Sequence, residues 1–342
     1  MYGSSRRGTN INNPNGDTPL STQPEDTVSG LAWSPKSNYI ACSAWDGKIS
    51  CWQVNQNGTS ELKGSMQHEA PALGLSWNSD GTKVFSAGCD CKGMMWDIAT
   101  GTFTQVAKHD EPINICRVVM TSRGSLVCTG SWDRTLKYWD TRQQQPIVTC
   151  QLKDRPYCAD FLNNLAVVCT VGNTAQVYNL NDPLQVFKSV QSSLRYQVRC
   201  ISCFPDSTGF AMGSIEGRVA LHYIDGSTDA QGKSKDFNFK CHRLNDVVYG
   251  INTVLFNKQY GTLLTGGSDG FIYFWDKQSR SRIKEFKKLP SPITASALNF
   301  NESILAYAEG YDWYMGAEYN NPSTYPICIF IRAIGTEMKG KQ

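Results

Sequence analysis

No stretch of this sequence is apolar for long enough to cross a membrane, and none has the charged-then-apolar pattern of a secretory leader. Membrane insertion and secretion are therefore not expected. Charge of one sign is missing too: 33 basic and 30 acidic side chains leave a net charge of +3, too mild to mark a nucleic-acid binder by its bulk field. Histidine is scarce, with four residues. No nucleophile elbow, paired-carboxylate signature or dinucleotide glycine fingerprint occurs. The run Gly226 to Ser234 comes nearest to a phosphate loop. It has one residue too many between its glycines, and no helical pattern follows to aim N–H groups at a phosphate. Cys200-Ile201-Ser202-Cys203 lacks the second pair that a tetrahedral zinc site needs. The expectation is a chain with no catalytic role, no metal or other cofactor and no small-molecule substrate. Cysteine itself is plentiful, at 13, but the number is odd and Cys42, Cys51, Cys116, Cys128, Cys169 and Cys328 fall in apolar runs. There a reduced thiol acts as a small buried hydrophobe, which points to a reducing compartment.

What is present is a spacing. Six times an Asp, Glu or Gly precedes, by six positions, an aromatic or His that closes a short apolar run. The segments are Asp46 to Trp52, Asp90 to Trp96, Asp133 to Trp139, Gly172 to Tyr178, Glu216 to His222 and Asp269 to Trp275. The closing residues recur at a period of roughly 40–45, and three are followed by Asp, the mark of WD40 propeller blades. Each unit offers a first strand such as Gly74-Leu75-Ser76-Trp77 and a second such as Ser125-Leu126-Val127-Cys128, then the anchored third and a variable fourth. Asp46-Gly47, Asp80-Gly81 and Asp269-Gly270 suit tight turns in which both positions take positive φ.

A seventh, degenerate unit follows: Ala295 to Phe300, Ile304 to Tyr307 and Ile327 to Ile331 supply three strands. Residues near Asp17 to Thr22 are expected to supply the fourth, because closing the ring removes exposed sheet edges. The fold class is thus all-β, a seven-bladed β-propeller closed by an N-terminal strand. Its expected bounds are 17–334, between a disordered tail at 1–16 and a C-terminal tail at 335–342. Three insertions break the period, at Gly226 to Phe237, Arg243 to Tyr249 and Tyr311 to Tyr325, and insertions in repeat folds form loops, often on a binding face.

The histidines read as scaffold. His109, Thr129, Asp133 and Trp139 stand in the order of a hydrogen-bonded blade tetrad. The sets His68, Ser86, Asp90, Trp96 and His242, Thr265, Asp269, Trp275 repeat that order, while His222 sits at an anchor position. The residues beside those turn acids crowd one rim. Trp45 and Trp132 precede the Asp; Lys48, Lys92, Arg134 and Arg218 follow the turns; Arg243 follows the His242 loop. Tryptophan with arginine is the composition of an interface hot spot, and basic forks beside aromatics suit a peptide with apolar and Glu side chains. Loss of about 2 kcal/mol or more is expected for Trp45→Ala or Arg218→Ala. A second candidate is the loop bearing Tyr311, Trp313 and Met315, beside Tyr249, with basic Arg280 and Arg282 on the outer strand of the sixth blade. Aromatics there suit unpaired bases or a partner's apolar groups, though a charged edge strand is also ordinary protection against edge pairing.

Several blocks resemble a known family. Gly130-Ser131-Trp132-Asp133-Arg134-Thr135-Leu136-Lys137-Tyr138-Trp139-Asp140-Thr141-Arg142-Gln143, Gly213-Ser214-Ile215-Glu216-Gly217-Arg218 and Phe239-Lys240-Cys241-His242-Arg243 are similar to the messenger-RNA export propeller of the nuclear pore. Ser193 to Gln197 and Tyr311-Asp312-Trp313 agree with it. The resemblance implies a non-catalytic adaptor that holds the GLEBS segment of an FG nucleoporin, supports mRNA export and, in some settings, spindle assembly. It places binding roles on Trp45, Arg218 and Arg243, and makes the Trp313 loop a surface for nucleic acid, single-stranded RNA included, or viral protein. It also implies nucleus, nuclear pore and envelope, and cytoplasm as locations. The sibling spindle-checkpoint propeller shares the Glu-Gly-Arg and Lys-Cys-His-Arg blocks and binds GLEBS segments of checkpoint kinases; it is the alternative, with a ubiquitin-ligase substrate receptor behind it. The N-terminal extension, Lys137 to Arg142 and the Tyr-Asp-Trp loop favour the export propeller. One departure is Tyr314-Met315-Gly316-Ala317, where that family often has a basic residue and Gly-His; the missing charge bears on contact with nucleic acid.

Overall fold

The computed structural model describes residues 12–339 except 122, 229 and 230. Seven four-stranded antiparallel sheets follow one another around a channel. Blade 1 is Val28–Trp33, Tyr39–Ala44, Lys48–Val54 and Ser60–Gln67, from the channel outwards. Blade 5 is Val198–Cys203, Gly209–Ser214, Arg218–Tyr223 and Phe237–Lys240. Blade 7 takes Ile293–Leu298, Ile304–Glu309 and Cys328–Ala333 from the C-terminal end and Thr18–Pro19 from the N-terminal end. Thr18 pairs with Ile331 and Pro19 with Phe330, and Leu20 N–H donates to the Ile329 carbonyl at 3.0 Å. Pro19 sits at the outer edge, where a missing N–H costs nothing. The expected closure is therefore the one found.

Apolar residues of the inner strands sort into seven buried clusters, one at each interface between neighbouring blades. Burial on this pattern makes each blade depend on its two neighbours, so the ring is one cooperative body. Tryptophans on inner strands add polar ties: Trp77 Nε1 donates to the Ala32 carbonyl at 2.9 Å and Trp33 Nε1 to that of Ala297 at 3.2 Å.

The tetrads form in two blades. His109 Nδ1 lies 2.8 Å from Asp133, its Nε2 2.8 Å from Thr129, and Trp139 Nε1 donates to Thr129 at 2.7 Å. His242, Asp269, Thr265 and Trp275 repeat this at 2.8, 2.9 and 2.9 Å. In blade 2 the chain stops short. His68 reaches Asp90 and Ser86, both at 2.8 Å, but Trp96 Nε1 is buried without a partner. Burial pushes the His109 imidazole below its ordinary pKa, against the pull of Asp133. Cys200 and Cys203 join different interblade clusters, as residues three apart on a strand should.

Three expectations need correction. Residues 1–11 lie outside the described part, but 13–16 are not tail: Asn15 exchanges hydrogen bonds with the backbone of Lys287 at 2.8 and 3.0 Å, and Asn13 caps Asp17. Nor is 335–339 a tail. Met338 is buried among blades 6 and 7, and Glu337 accepts from Lys284 at 3.1 Å and Arg332 at 3.4 Å. Burial works against that carboxylate, but backbone N–H groups and Lys284 hold its pKa down at about 2. In the Asp-Gly turns only the glycine has positive φ, 82° at Gly47 and 77° at Gly270. A Cβ on Gly47 would meet the Ala70 carbonyl at 2.7 Å.

Candidate partner-binding face

In every blade the turn between the second and third strands and the link to the next blade lie at one end of the ring, here the upper end. The turn between third and fourth strands lies at the lower. This places the insertions. Arg243 to Tyr249 and Tyr311 to Tyr325 are upper loops, whereas Gly226 to Phe237 joins the third and fourth strands of blade 5 and belongs to the lower end.

Three concavities at the upper end stand out among the described residues. The central channel, of about 550 Å³, carries Trp45 and Trp313 at its mouth. Their ring centroids are 5.0 Å apart at 44°, so the two candidate sites, expected to be separate, share an aromatic pair. Trp45 is consequently half-buried against the blade 7 loop. Asp312 fixes the loop from beneath: it is buried and accepts from Ser268, from Asn252 at 3.0 Å and from Arg199 at 3.4 Å.

The second concavity, of about 730 Å³, lies over blade 5 and is lined by Tyr196, Glu216, Arg218, Asn238, Arg243 and Val248. Glu216 organises it. One carboxylate oxygen accepts from the Arg195 N–H at 2.9 Å, the other lies 3.6 Å from Arg218 Nε, and its backbone carbonyl accepts from Arg243 Nη2 at 2.9 Å. Arg218 also donates to Asn238 at 3.1 Å. A short hairpin, Arg243–Leu244 with Val247–Val248, stands beside it with Leu244, Val247 and Val248 exposed. Two guanidinium groups with apolar neighbours can take a carboxylate next to an aliphatic side chain. Tyr249 closes this hairpin, its N–H donating to His242 at 3.0 Å.

Other expected members are not brought together. Lys48 pairs with Glu25 at 3.4 Å, Lys92 with Glu69 at 2.8 Å and Arg134 with Asp154 at 3.7 Å, each with an acid of its own or the adjoining loop rather than with the groove. Trp132, 38% exposed, lines the third concavity instead. Tyr311 is fully buried and cannot stack a base: its hydroxyl donates to the Gly316 carbonyl at 2.9 Å and accepts from Met315 N–H at 3.0 Å, shaping the loop from inside. Exposed aromatics of that loop are Tyr314, inside the candidate run Tyr311 to Met315, and Tyr319, which the sequence did not single out, with Met315 beside them. Arg280 and Arg282 do not flank it. Arg280 stands in the lower turn between the third and fourth strands of blade 6 and lies over Phe237 at 4.2 Å; Arg282 pairs with Glu285 at 2.7 Å.

A model of the WD domain, G-beta repeat, matches residues 17–53, 60–97, 101–140 and 234–276. Each match starts on a strand preceding the blade it completes, an offset by one strand that leaves the N-terminal strand free to close the ring. Protein Rae1 of Drosophila melanogaster is 40% identical over 99% of both chains. The mRNA export factor GLE2 of Chaetomium thermophilum is 39% identical, covering 94% of this chain and 92% of its own. The Poly(A)+ RNA export protein of Schizosaccharomyces pombe is 41% identical over 89% and 87%. The chain belongs to the Rae1/GLE2 family of WD40 propellers. Family membership and the upper grooves thus coincide on one molecule, and the blocks that carried the resemblance line the groove at Arg218 and Arg243.

Proposed function

We propose that this propeller is a non-catalytic adaptor that binds the GLEBS segment of an FG nucleoporin and supports mRNA export at the nuclear pore. The observation that carries it is the blade 5 groove, where Glu216 holds Arg218 and Arg243 side by side against an apolar hairpin. A disordered acidic-apolar peptide would order across this end. It would add contacts shielded from water to the half-buried Arg218–Glu216 pair. Names of the relatives, mRNA export factor among them, support the export role and a nuclear, pore-associated location. Tyr314, Met315 and Tyr319 leave room for single-stranded RNA at the blade 7 loop, without a basic residue among Tyr314 to Ala317.

Affinity capture with wild type and Trp45→Ala, read by mass spectrometry, tests it. Recovery of an FG nucleoporin that falls with the substitution supports the adaptor. Recovery of checkpoint kinases instead would move the chain to the spindle-checkpoint role, and a ligase scaffold would end both.

A further inference from the structure

The inner strand of every blade carries a β-bulge at its second residue. Pairing with the second strand skips from Val28 to Gly30, Ala72 to Gly74, Ile113 to Ile115, Pro156 to Cys158, Val198 to Cys200, Ile251 to Thr253 and Ile293 to Ala295. A bulge re-aims the extra residue. Here the seven extras, Ser29, Leu73, Asn114, Tyr157, Arg199, Asn252 and Thr294, all line the channel and form one ring beneath its mouth. Several tie a blade to the next: Ser29 donates to the Ala72 carbonyl at 2.5 Å, Asn114 to that of Pro156 at 2.8 Å, and Arg199 to Asn252 at 2.6 Å.

On one side the ring opens into the third concavity, of about 360 Å³, where Asn114, Tyr157 and Arg199 meet Trp132, Arg155 and Gln197. Charge there is one-sided. Arg199 is matched by Asp312 at 3.4 Å, and Asp154 is taken by Arg134, whereas the exposed Arg155 guanidinium has no carboxylate within ion-pair distance among the described residues. No acid lines the pocket. Two aromatic rings beside it offer apolar walls, and the exposed Gln197 amide offers both a donor and an acceptor.

We propose that this pocket is a subsite for an acidic side chain of the bound peptide. The carboxylate meets Arg155, the methylene stem packs on Trp132 and Tyr157, and Gln197 pairs with the peptide backbone. The backbone-pairing amide and the apolar walls favour a peptide carboxylate over a bare phosphate, which offers only acceptors. The subsite rests on the peptide-binding function above but lies across the channel mouth from Trp45 and apart from the Arg218 groove. It extends the footprint from blade 5 to blades 3 and 4.

The test is a double-substitution cycle by fluorescence anisotropy. The probe is a labelled GLEBS peptide, with each Asp or Glu changed in turn to Asn or Gln, against wild type, Arg155→Ala, Arg155→Lys and Arg218→Ala. Arg155→Ala should weaken the unaltered peptide about tenfold, in the range of one charge-assisted hydrogen bond. Arg155→Lys should recover part of this. One amide peptide should lose affinity with wild type yet lose nothing further with Arg155→Ala. Loss with Arg218→Ala but none with Arg155→Ala overturns the subsite and leaves the adaptor standing. Equal, additive losses for every peptide overturn it as well, and a wild type that binds no peptide removes both.

Discussion

Blades 3 and 6 are the regular members of the ring and blades 5 and 7 the irregular ones. In the regular pair a buried His joins the turn acid to a threonine and a tryptophan, so the upper turn is fixed from inside. Blade 5 has Glu216 in place of that Asp and His222 in place of the tryptophan. There the carboxylate is turned outward, onto the Arg195 N–H and Arg218. Blade 7 replaces the turn with a loop whose Asp312 braces Trp313. The same position in the repeat thus supplies rigidity in one pair and, on the proposed function, a recognition surface in the other. A blade freed from the inward network can spend its turn on a partner, because its neighbours keep it in place.

That contrast can be broken by substitution. The largest effect is expected in blade 6: Asp269→Ala strands His242 and should cost about 3 kcal/mol of stability, read from urea unfolding, with peptide affinity kept at low temperature. Arg218→Ala should do the reverse, lowering affinity by about 2 kcal/mol in calorimetric titration while the thermal midpoint stays put. Were the two to lower stability alike, the division between scaffold and recognition blades would be wrong.

A smaller effect concerns Glu309, at the end of the second strand of blade 7. It is buried with one oxygen unpartnered, and burial raises its pKa to about 8. Because the folded pKa lies above the unfolded one, stability is greatest below the ordinary carboxyl range and falls as the pH climbs to about 8. Between pH 5 and 8 wild type should lose on the order of 2 kcal/mol relative to Glu309→Gln. Parallel pH profiles for the two would show that the acid is not buried in its charged form. The smallest effect is at Arg134, which holds the left-handed turn position with φ 67° where blades 1 and 6 have glycine. Arg134→Gly should be neutral or stabilising by up to about 1 kcal/mol in the same unfolding assay.

Much of the scaffold was legible because a blade repeats its own constraints: the Asp-to-Trp spacing and the strand missing from blade 7 follow from chain alone. The site was legible in part. Arg218 and Arg243 stand in contiguous blocks beside turns, so their neighbourhood could be inferred. Tyr311 was misjudged because an aromatic in a long loop can as well fill the loop as face a partner. Arg280 and Arg282 were misplaced because a position on an outer strand does not say which end of the ring it serves. Arg155, in the link before blade 4, was missed, as were the bulge residues Tyr157 and Arg199. Bulged residues follow no side-chain pattern, from Leu73 to Arg199, and only their repeat spacing of about one blade could have found them.

The central claim is that the partner segment lies on the upper end, over blade 5 and the channel mouth. Hydrogen–deuterium exchange with and without a GLEBS peptide tests it directly. The account predicts slowed exchange at Glu216 to Arg218, Arg243 to Tyr249 and the Trp313 loop, and no change at the lower loop Gly226 to Phe237. Protection of that lower loop, with the Arg218 turn unaffected, would contradict it.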